Sequence, residues 1–337
     1  MKTRGVFFFM LAVSALLVLL LLFGLFSGSV KIPPARMGAI LTGADRDSPS
    51  AKIVLTLRLP RMVMALLVGM MLSSAGTVSQ AVFRNPLADP YVIGISSGAM
   101  AGAALAFILK LPDFFYGVFA FFTASGTAFL IFRLSARGGK ADTAGILIIG
   151  VAVSTFLGAF TSFFMYMSGQ DAYRIVIWTM GYLGGASWFR AGLLAAPLLL
   201  GMLYFLYHRH DLDALLLGDE EAFSLGLPVG LLKRRLLAVV SLVAAFSVAF
   251  TGMIGFVGLM VPHGVRFCVG NSHRRLLPLA AYAGGVFLLF TDILARTLLA
   301  PIEIPIGVIT AFFGAPFFLF LALRTGRGGA GSRGGGS

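Results

Sequence analysis

The sequence predicts an all-α, polytopic membrane protein of about ten transmembrane helices, and three observations predict it: composition, the length of the apolar runs and the placement of the charges. Of 337 residues, 58% are hydrophobic and only 12% charged, with a mean hydropathy of +0.96, far outside the range of soluble domains. The apolar residues form runs long enough to cross a bilayer, and the charges cluster between them. A soluble chain of this length would need many more charges to cover its surface. The length therefore counts spans and leaves no room for a separate soluble domain.

The first run, Val6 to Phe26, carries no charge and as a helix covers roughly 30 Å, enough for a bilayer core. A cleaved signal peptide has a shorter apolar region ending at a small-residue cleavage site, so the run reads as a retained first span. Lys2 and Arg4 before it favour a cytoplasmic N-terminus. Further spans follow near Met62–Val82, Tyr91–Leu109, Phe114–Phe132, Ala144–Met167, Ala191–Tyr207, Leu236–Gly252, a short Phe256–Val269, Leu276–Thr297 and Gly307–Leu323. Both termini then lie in the cytoplasm. Inside segments hold about 16 Lys and Arg against about 10 outside, six of the latter in the long first loop, a bias that supports this orientation.

A net charge of +13 and a pI near 10.5 would suit a nucleic-acid partner, but the basic residues sit in short loops beside apolar runs and form no interleaved basic-aromatic patch. The single cysteine, Cys268, has no partner for a disulfide or a CxxC metal site. No metal-ligand spacing accompanies His263, which follows Val261-Pro262 at an expected helix start, or His208 and His210 in a loop.

Within the spans, Gly94-Ile95-Ser96-Ser97-Gly98-Ala99-Met100-Ala101-Gly102-Ala103-Ala104 is rich in small residues that let helix backbones approach closely, which places this span inside a bundle. The fifth span is loaded instead with Phe156, Phe160, Phe163, Phe164, Met165 and Met167. Of these, Phe160, Phe164 and Met167 are candidates to line a broad apolar passage, with plain packing the blander alternative. Asp292 and Arg296 lie four apart on one helix face, the spacing of a local ion pair that lowers the cost of both charges in a membrane.

The loops carry more chemistry. Arg84-Asn85-Pro86-Leu87-Ala88-Asp89-Pro90 is a double-proline turn that excludes a continuous helix. The segment Gly218 to Pro228 reads as a short capped helix, with Gly218 or Asp219 able to cap it, Asp219, Glu220 and Glu221 in its first turn and Gly226 able to end it. Pro228 then starts a second short helix running into Lys233-Arg234-Arg235. Two short helices in a cytoplasmic loop offer a docking surface for a soluble partner.

These motifs together carry a resemblance. Arg58-Leu59-Pro60-Arg61, Asn85-Pro86-Leu87-Ala88-Asp89-Pro90 and Gly94-Ile95-Ser96-Ser97-Gly98 are similar to the N-terminal half of the iron-siderophore, haem and vitamin B12 permease family (FecCD-type, type II) of ABC importers. Gly255-Phe256-Val257-Gly258-Leu259-Met260-Val261-Pro262-His263, His273-Arg274-Arg275-Leu276-Leu277-Pro278, Glu303-Ile304-Pro305-Ile306-Gly307-Val308-Ile309-Thr310 and Gly314-Ala315-Pro316-Phe317-Phe318 resemble its C-terminal half. The resemblance covers residues from about 5 to 325.

What the resemblance implies is a permease domain over residues 1–324, with a coupling loop at 218–235, that forms a homodimer in the bacterial inner membrane around the transport path. It implies two ATP-binding subunits and a periplasmic or lipoprotein substrate-binding protein as partners. ATP and Mg would be held by the ATPase subunits, since this chain contains no G-x-x-x-x-G-K-[ST] loop and is not expected to be an enzyme or to bind a cofactor. By matching position, Arg58, Arg61 and Arg296 would dock the binding protein, arginine being suited to carboxylates across a reversible interface. Asn85, Leu87 and Thr143 would form a cytoplasmic gate, and Asp219, Glu220, Glu221, Gly226 and Pro228 would couple to the ATPase. The tail from Thr325 to Ser337, rich in Gly, Arg and Ser, reads as disordered.

An ion-coupled secondary transporter would need buried carboxylates near the midplane, where Asp292 alone stands out. A membrane enzyme would need a motif such as H-E-x-x-H or G-x-S-x-G, and neither occurs. For the cargo, an iron chelate or haem is the first expectation and cobalamin the second, resting on the breadth of the family.

Overall fold

Glycine decides which helices lie at the centre of the bundle. In the computed structural model, which describes residues 2–28, 30–135, 143–169 and 172–330, helix α4 (Leu59–Val82) crosses α14 (His273–Thr297) with Gly69 against Gly284, and α13 (Val257–Val269) with Gly76 against Gly258. A Cβ at Gly69 would stand 2.2 Å from the Gly284 carbonyl oxygen, and one at Gly76 would stand 1.9 Å from that of Gly258. Lipid supplies no hydrophobic drive between helices, so this close backbone approach and the hydrogen bonds beside it hold the contact. Ser73 Oγ donates to the Ala280 carbonyl at 2.6 Å, and Gln80 Nε2 donates to that of Leu259 at 3.0 Å.

The other helices build outward from this centre. Before α4 come α1 (Lys2–Phe26), α2 (Pro34–Thr42) and α3 (Pro49–Lys52), and a π-helical turn over Ile53–Arg58 feeds directly into α4. A 3₁₀ turn at Pro90–Ile93 precedes α5 (Ile95–Ile108), followed by α6 (Asp113–Ser135), α7 (Thr143–Met167), α8 (Ala172–Thr179) and α9 (Trp188–Tyr207). Two short helices, α10 (Arg209–Leu215) and α11 (Asp219–Ser224), lead into α12 (Val229–Thr251), and α15 (Ile306–Ala330) closes the chain after α14. The small-residue stripe of α5 packs as its composition predicts: a Cβ at Gly98 or Gly102 would fall 2.5 Å or 2.0 Å from the hydroxyl of Thr127 or Thr123 on α6.

Among the described residues, six helical stretches are long and apolar enough to cross a membrane: Gly5–Phe26, Pro49–Val82, Asp113–Ser135, Gly145–Met167, Trp188–Tyr207 and His273–Thr297. Three shorter apolar helices, Ile95–Ile108, Val257–Val269 and Ile306–Leu321, join them. Helix α12 completes the set; Lys233, Arg234 and Arg235 in its first turns add charge at one end. Phe7, Phe8 and Leu19 on α1, Phe156 and Phe163 on α7, and Phe312 and Phe320 on α15 point outward and uncovered, as lipid-facing or subunit-facing surfaces do.

Three features differ from the sequence reading. The second short helix expected after Pro228 is the beginning of α12 itself, which continues without a break into its span. No helix breaker separates Val229 from Leu236, so the span absorbs the basic segment. His263 lies in mid-helix rather than at a helix start, with Pro262 accommodated inside α13. Residues 325–330, expected to be disordered, continue α15 to Ala330, whereas 331–337 lie outside the described residues.

Gly76→Ala should therefore be felt throughout the bundle. A methyl there meets backbone, which can relax only by parting α4 from α13, at a cost of about 1–3 kcal/mol. Thermal unfolding in detergent should show a lower Tm for Gly76→Ala than for wild type, while Gly126→Ala, with nothing within 4 Å of the added carbon, should leave it unchanged.

Candidate functional site

The polar chemistry gathers at the two ends of α4. At its N-terminal end, Arg58 closes the π-helical turn, Arg61 lies in the first turn of α4 and Arg296 in the last turn of α14. The three are only 6%, 9% and 7% exposed, and each has partners within the chain. Arg58 donates to the carbonyls of Leu25 and Val30. Arg296 donates to those of Gly24 at 3.1 Å and Ser27 at 3.3 Å. Two guanidinium groups thus satisfy carbonyls at and just beyond the C-terminal end of α1, where the helix leaves its last acceptors free and its dipole favours cations. Gly28, at φ +154°, is required by this arrangement: a Cβ there would stand 2.8 Å from Arg58 Nη2.

Arg61 forks between two carboxylates, its Nε donating to Asp292 Oδ1 at 2.9 Å and its Nη1 to the Glu303 carboxylate at 2.9 and 3.0 Å. The i,i+4 pair expected between Asp292 and Arg296 is present only as a 3.6 Å approach. Its physical reason is competition, because the α1 carbonyls draw the Arg296 guanidinium away while Arg61 reaches Asp292 from the neighbouring helix. A cavity of about 230 Å³ opens here, lined by Arg58, Arg61, Arg296, Glu303 and Tyr182 among others. Three guanidinium groups face two carboxylates, which leaves the cavity cationic.

At the opposite end, α4 stops at the double-proline turn. Asn85 Oδ1 accepts the Leu87 N–H at 2.9 Å, and Asp89 Oδ1 accepts that of Tyr91 at 2.8 Å. These two side chains hold the turn in one shape. Burial pushes the Asp89 carboxyl up to about 6 against the lowering effect of the Tyr91 hydrogen bond. Thr143, expected from the resemblance to act with this turn, opens α7, and its side chain lies outside the described residues.

Beside this turn, α10 and α11 form a compact projection. Gly226 ends α11 at φ +84°, with its N–H bonded to Phe223 O at 2.8 Å and that of Leu227 to Ala222 O at 3.2 Å, the paired bonds of a Schellman end. Gly218 caps the other end by position, without a side-chain bond; Asp219 does not cap, and its carboxylate instead accepts Lys233 Nζ at 2.7 and 2.8 Å. Glu220, Glu221 and Pro228 are exposed, as are three large apolar side chains, Leu217, Phe223 and Leu225, at 66%, 73% and 64%.

Sequence reasoning missed the tie that holds this projection to the bundle. Asp213 of α10 accepts the backbone N–H of His273 at 2.8 Å and meets its ring Nδ1 at 2.6 Å, capping α14 from another helix. Burial raises the Asp213 carboxyl, but the side-chain and backbone hydrogen bonds from His273 outweigh it and hold the group below its ordinary value of 3.8. No local spacing announces a pair separated by 60 residues.

The α7 candidates lie along an open face. Phe156, Phe160 and Phe164 meet in turn, tilted and then edge-to-face, with ring centroids 5.3 and 5.5 Å apart; Phe160 and Met167 are exposed and Phe164 is half-buried. The face stays uncovered because α7 packs against α5 and α6 on its other side.

The sequence profile of the FecCD transport family matches residues 16–324. The chain belongs to the FecCD family. This FecCD chain is 45% identical to the cobalamin import system permease protein BtuC of Halobacterium salinarum, over 80% of its own length and 73% of that protein. It is 39% identical to the hemin transport system permease protein HmuU of Yersinia pestis, over 86% of its length and 90% of that protein. Among solved structures, an inward-facing conformation of a metal-chelate type ABC transporter superposes with a TM-score of 0.83 at 30% identity, covering 93% of this chain and 98% of the other. The FecCD chain is thus an all-helical, multi-pass permease of the ABC importer class, not itself catalytic, and its class works with ATPase and substrate-binding partners.

Two outcomes follow from the geometry. Arg61→Ala strands the buried Asp292 and should destabilise the fold by about 3–5 kcal/mol, whereas Arg61→Met with Asp292→Leu should recover most of the loss; denaturation of both variants in detergent checks this. For Asp213, a depressed folded pKa means stability that is full above the unfolded value of 3.8 and lost as pH falls through the folded value. Asp213→Asn should lower Tm at pH 7 and shrink the difference from wild type as the pH is taken below 4.

Proposed function

We propose that this chain is the pore-forming permease of an importer for an iron chelate, a siderophore or haem, working as a homodimer in a bacterial cell membrane. The observation that carries the coupling half of this reading is the α10–α11 projection. Its tip presents Phe223 and Leu225 beside Glu220 and Glu221, and it is fused through Pro228 to a spanning helix. Exposed aromatic and aliphatic side chains ringed by charge make an anchor for a partner's pocket. An ATPase subunit receiving this knob could move α12 directly, with ATP and Mg held by that subunit.

The Lys and Arg excess of about 16 against 10 supports a cytoplasmic position for the projection and both termini. The arginine-lined cavity then faces outward, where a binding protein's acidic side chain would enter a site with more guanidinium than carboxylate. Arg58, Arg61 and Arg296 serve this docking while bound to their own chain. Two copies meeting through the open faces of α7 and α15 would put Phe160, Phe164 and Met167 along the shared path, with Asn85, Leu87 and Thr143 at its cytoplasmic mouth. A second cargo, cobalamin, is favoured by the 45% identity to a permease named for its import. All three cargoes are large metal chelates.

The test is reconstitution in vesicles with the ATPase subunit and binding protein. Uptake of labelled ferric chelate, haem or cobalamin should require ATP and survive collapse of the proton gradient. Phe223→Ala should weaken ATPase-subunit association at least about tenfold, the size of an aromatic interface anchor. Uptake driven by the proton gradient without ATP would overturn the importer mechanism, and unchanged association would overturn the docking role of α11.

A further inference from the structure

Asp219 faces inward to its own chain. Its carboxylate accepts Lys233 Nζ at 2.7 and 2.8 Å and lies 3.6 Å from Arg84 Nη2. The three residues come from three elements: Arg84 from the turn after α4, immediately before Asn85; Asp219 from the first position of α11; Lys233 from the second turn of α12. A single carboxylate therefore joins the gate turn, the projection and the spanning helix that follows it.

The two halves of this junction differ in kind. The Lys233 side chain is 6% exposed, and an ammonium so placed keeps its counter-ion because leaving it unpaired is costly. That bond makes α11 and the start of α12 one body. Arg84 and Asp219 are 47% and 44% exposed, and an ion pair in that setting is weak and easily exchanged for water. Arg84 also has φ +48°, in the left-handed region, and its N–H bonds Ala81 O at 3.2 Å while that of Asn85 bonds Gln80 O at 3.1 Å. The end of α4 thus directs the Arg84 side chain toward α11, one residue before the gate turn proper.

We infer that Arg84, Asp219 and Lys233 are positioning residues for transport: Asp219, held permanently by Lys233, fastens the gate turn to α11 through Arg84, so that the turn carrying Asn85 and Leu87 follows the projection. Asp219 thereby works within the chain, and the exposed Glu220, Glu221 and Phe223 are left for the ATPase subunit. This rests on the coupling role proposed above for residues 218–235. Because the fastening is half permanent and half exchangeable, the gate turn can travel with α11 over part of the cycle and be released over the rest.

The test uses the whole importer in vesicles, with substrate taken up per ATP hydrolysed as the readout and ATPase-subunit association measured separately. Arg84→Gln should lower uptake per ATP at least about fivefold with association within about twofold of wild type, and Arg84→Lys, which keeps the charge, should restore coupling to within about twofold of wild type. Unchanged coupling in Arg84→Gln overturns the inference. Equal loss in Gln and Lys variants also overturns it, since the side chain would then act by shape rather than by charge. Loss of association in Arg84→Gln overturns it too, by placing Arg84 at the partner interface. Phe223→Ala separates the two readings: if association survives that change, the coupling surface proposed above fails, whatever the Arg84 variants show.

Discussion

The backbone contact of α4 with α13 and α14 is the constraint on which the other features depend. With Gly69 and Gly76 pressed against the carbonyls of Gly284 and Gly258, α4 cannot tilt or slide without breaking van der Waals contact along its length. Its two ends are therefore fixed relative to each other, Arg61 beside Asp292 and Glu303 at one and Arg84 beside Asp219 at the other. In lipid, where burying apolar side chains brings no hydrophobic gain, van der Waals contact of this kind is what holds the helices together. The chemistry at both ends of the bundle inherits its geometry from this one helix.

The charged groups at the N-terminal end of α4 show how a membrane protein carries arginine near a bilayer. Each guanidinium is matched to acceptors that also lack partners: helix-end carbonyls of α1 for Arg58 and Arg296, carboxylates for Arg61. The cavity beside them remains open. The same residues can then brace the end of the bundle and present a cationic surface, and both roles draw on one set of side chains.

The spans were legible because twenty apolar residues in a row have one stable fate in a bilayer, and Gly226 was legible as a helix end because only glycine adopts its left-handed conformation at little cost. Partnerships across the sequence were not. The four-residue spacing of Asp292 and Arg296 suggests a pair, but spacing along one helix says nothing about Arg61, 231 residues away, which forms the shorter bond. Asp213 and His273 were invisible for the same reason. Pro228 misled because proline suits the first turn of any helix, long or short, so it marked where a helix begins and could not show that the helix runs on to Thr251.

That continuity has a mechanical consequence. Val229–Thr251 is 23 residues, a rod of about 35 Å, with one end next to the projection and the other beside the loop before α13. A tilt of about 5° at the base of such a rod carries its tip sideways by about 3 Å, close to the width of a methyl group. Two helices hinged at the membrane surface would dissipate a push on the projection as bending, whereas an unbroken rod would act as a lever and pass a small rotation at one end on to the packing at the other.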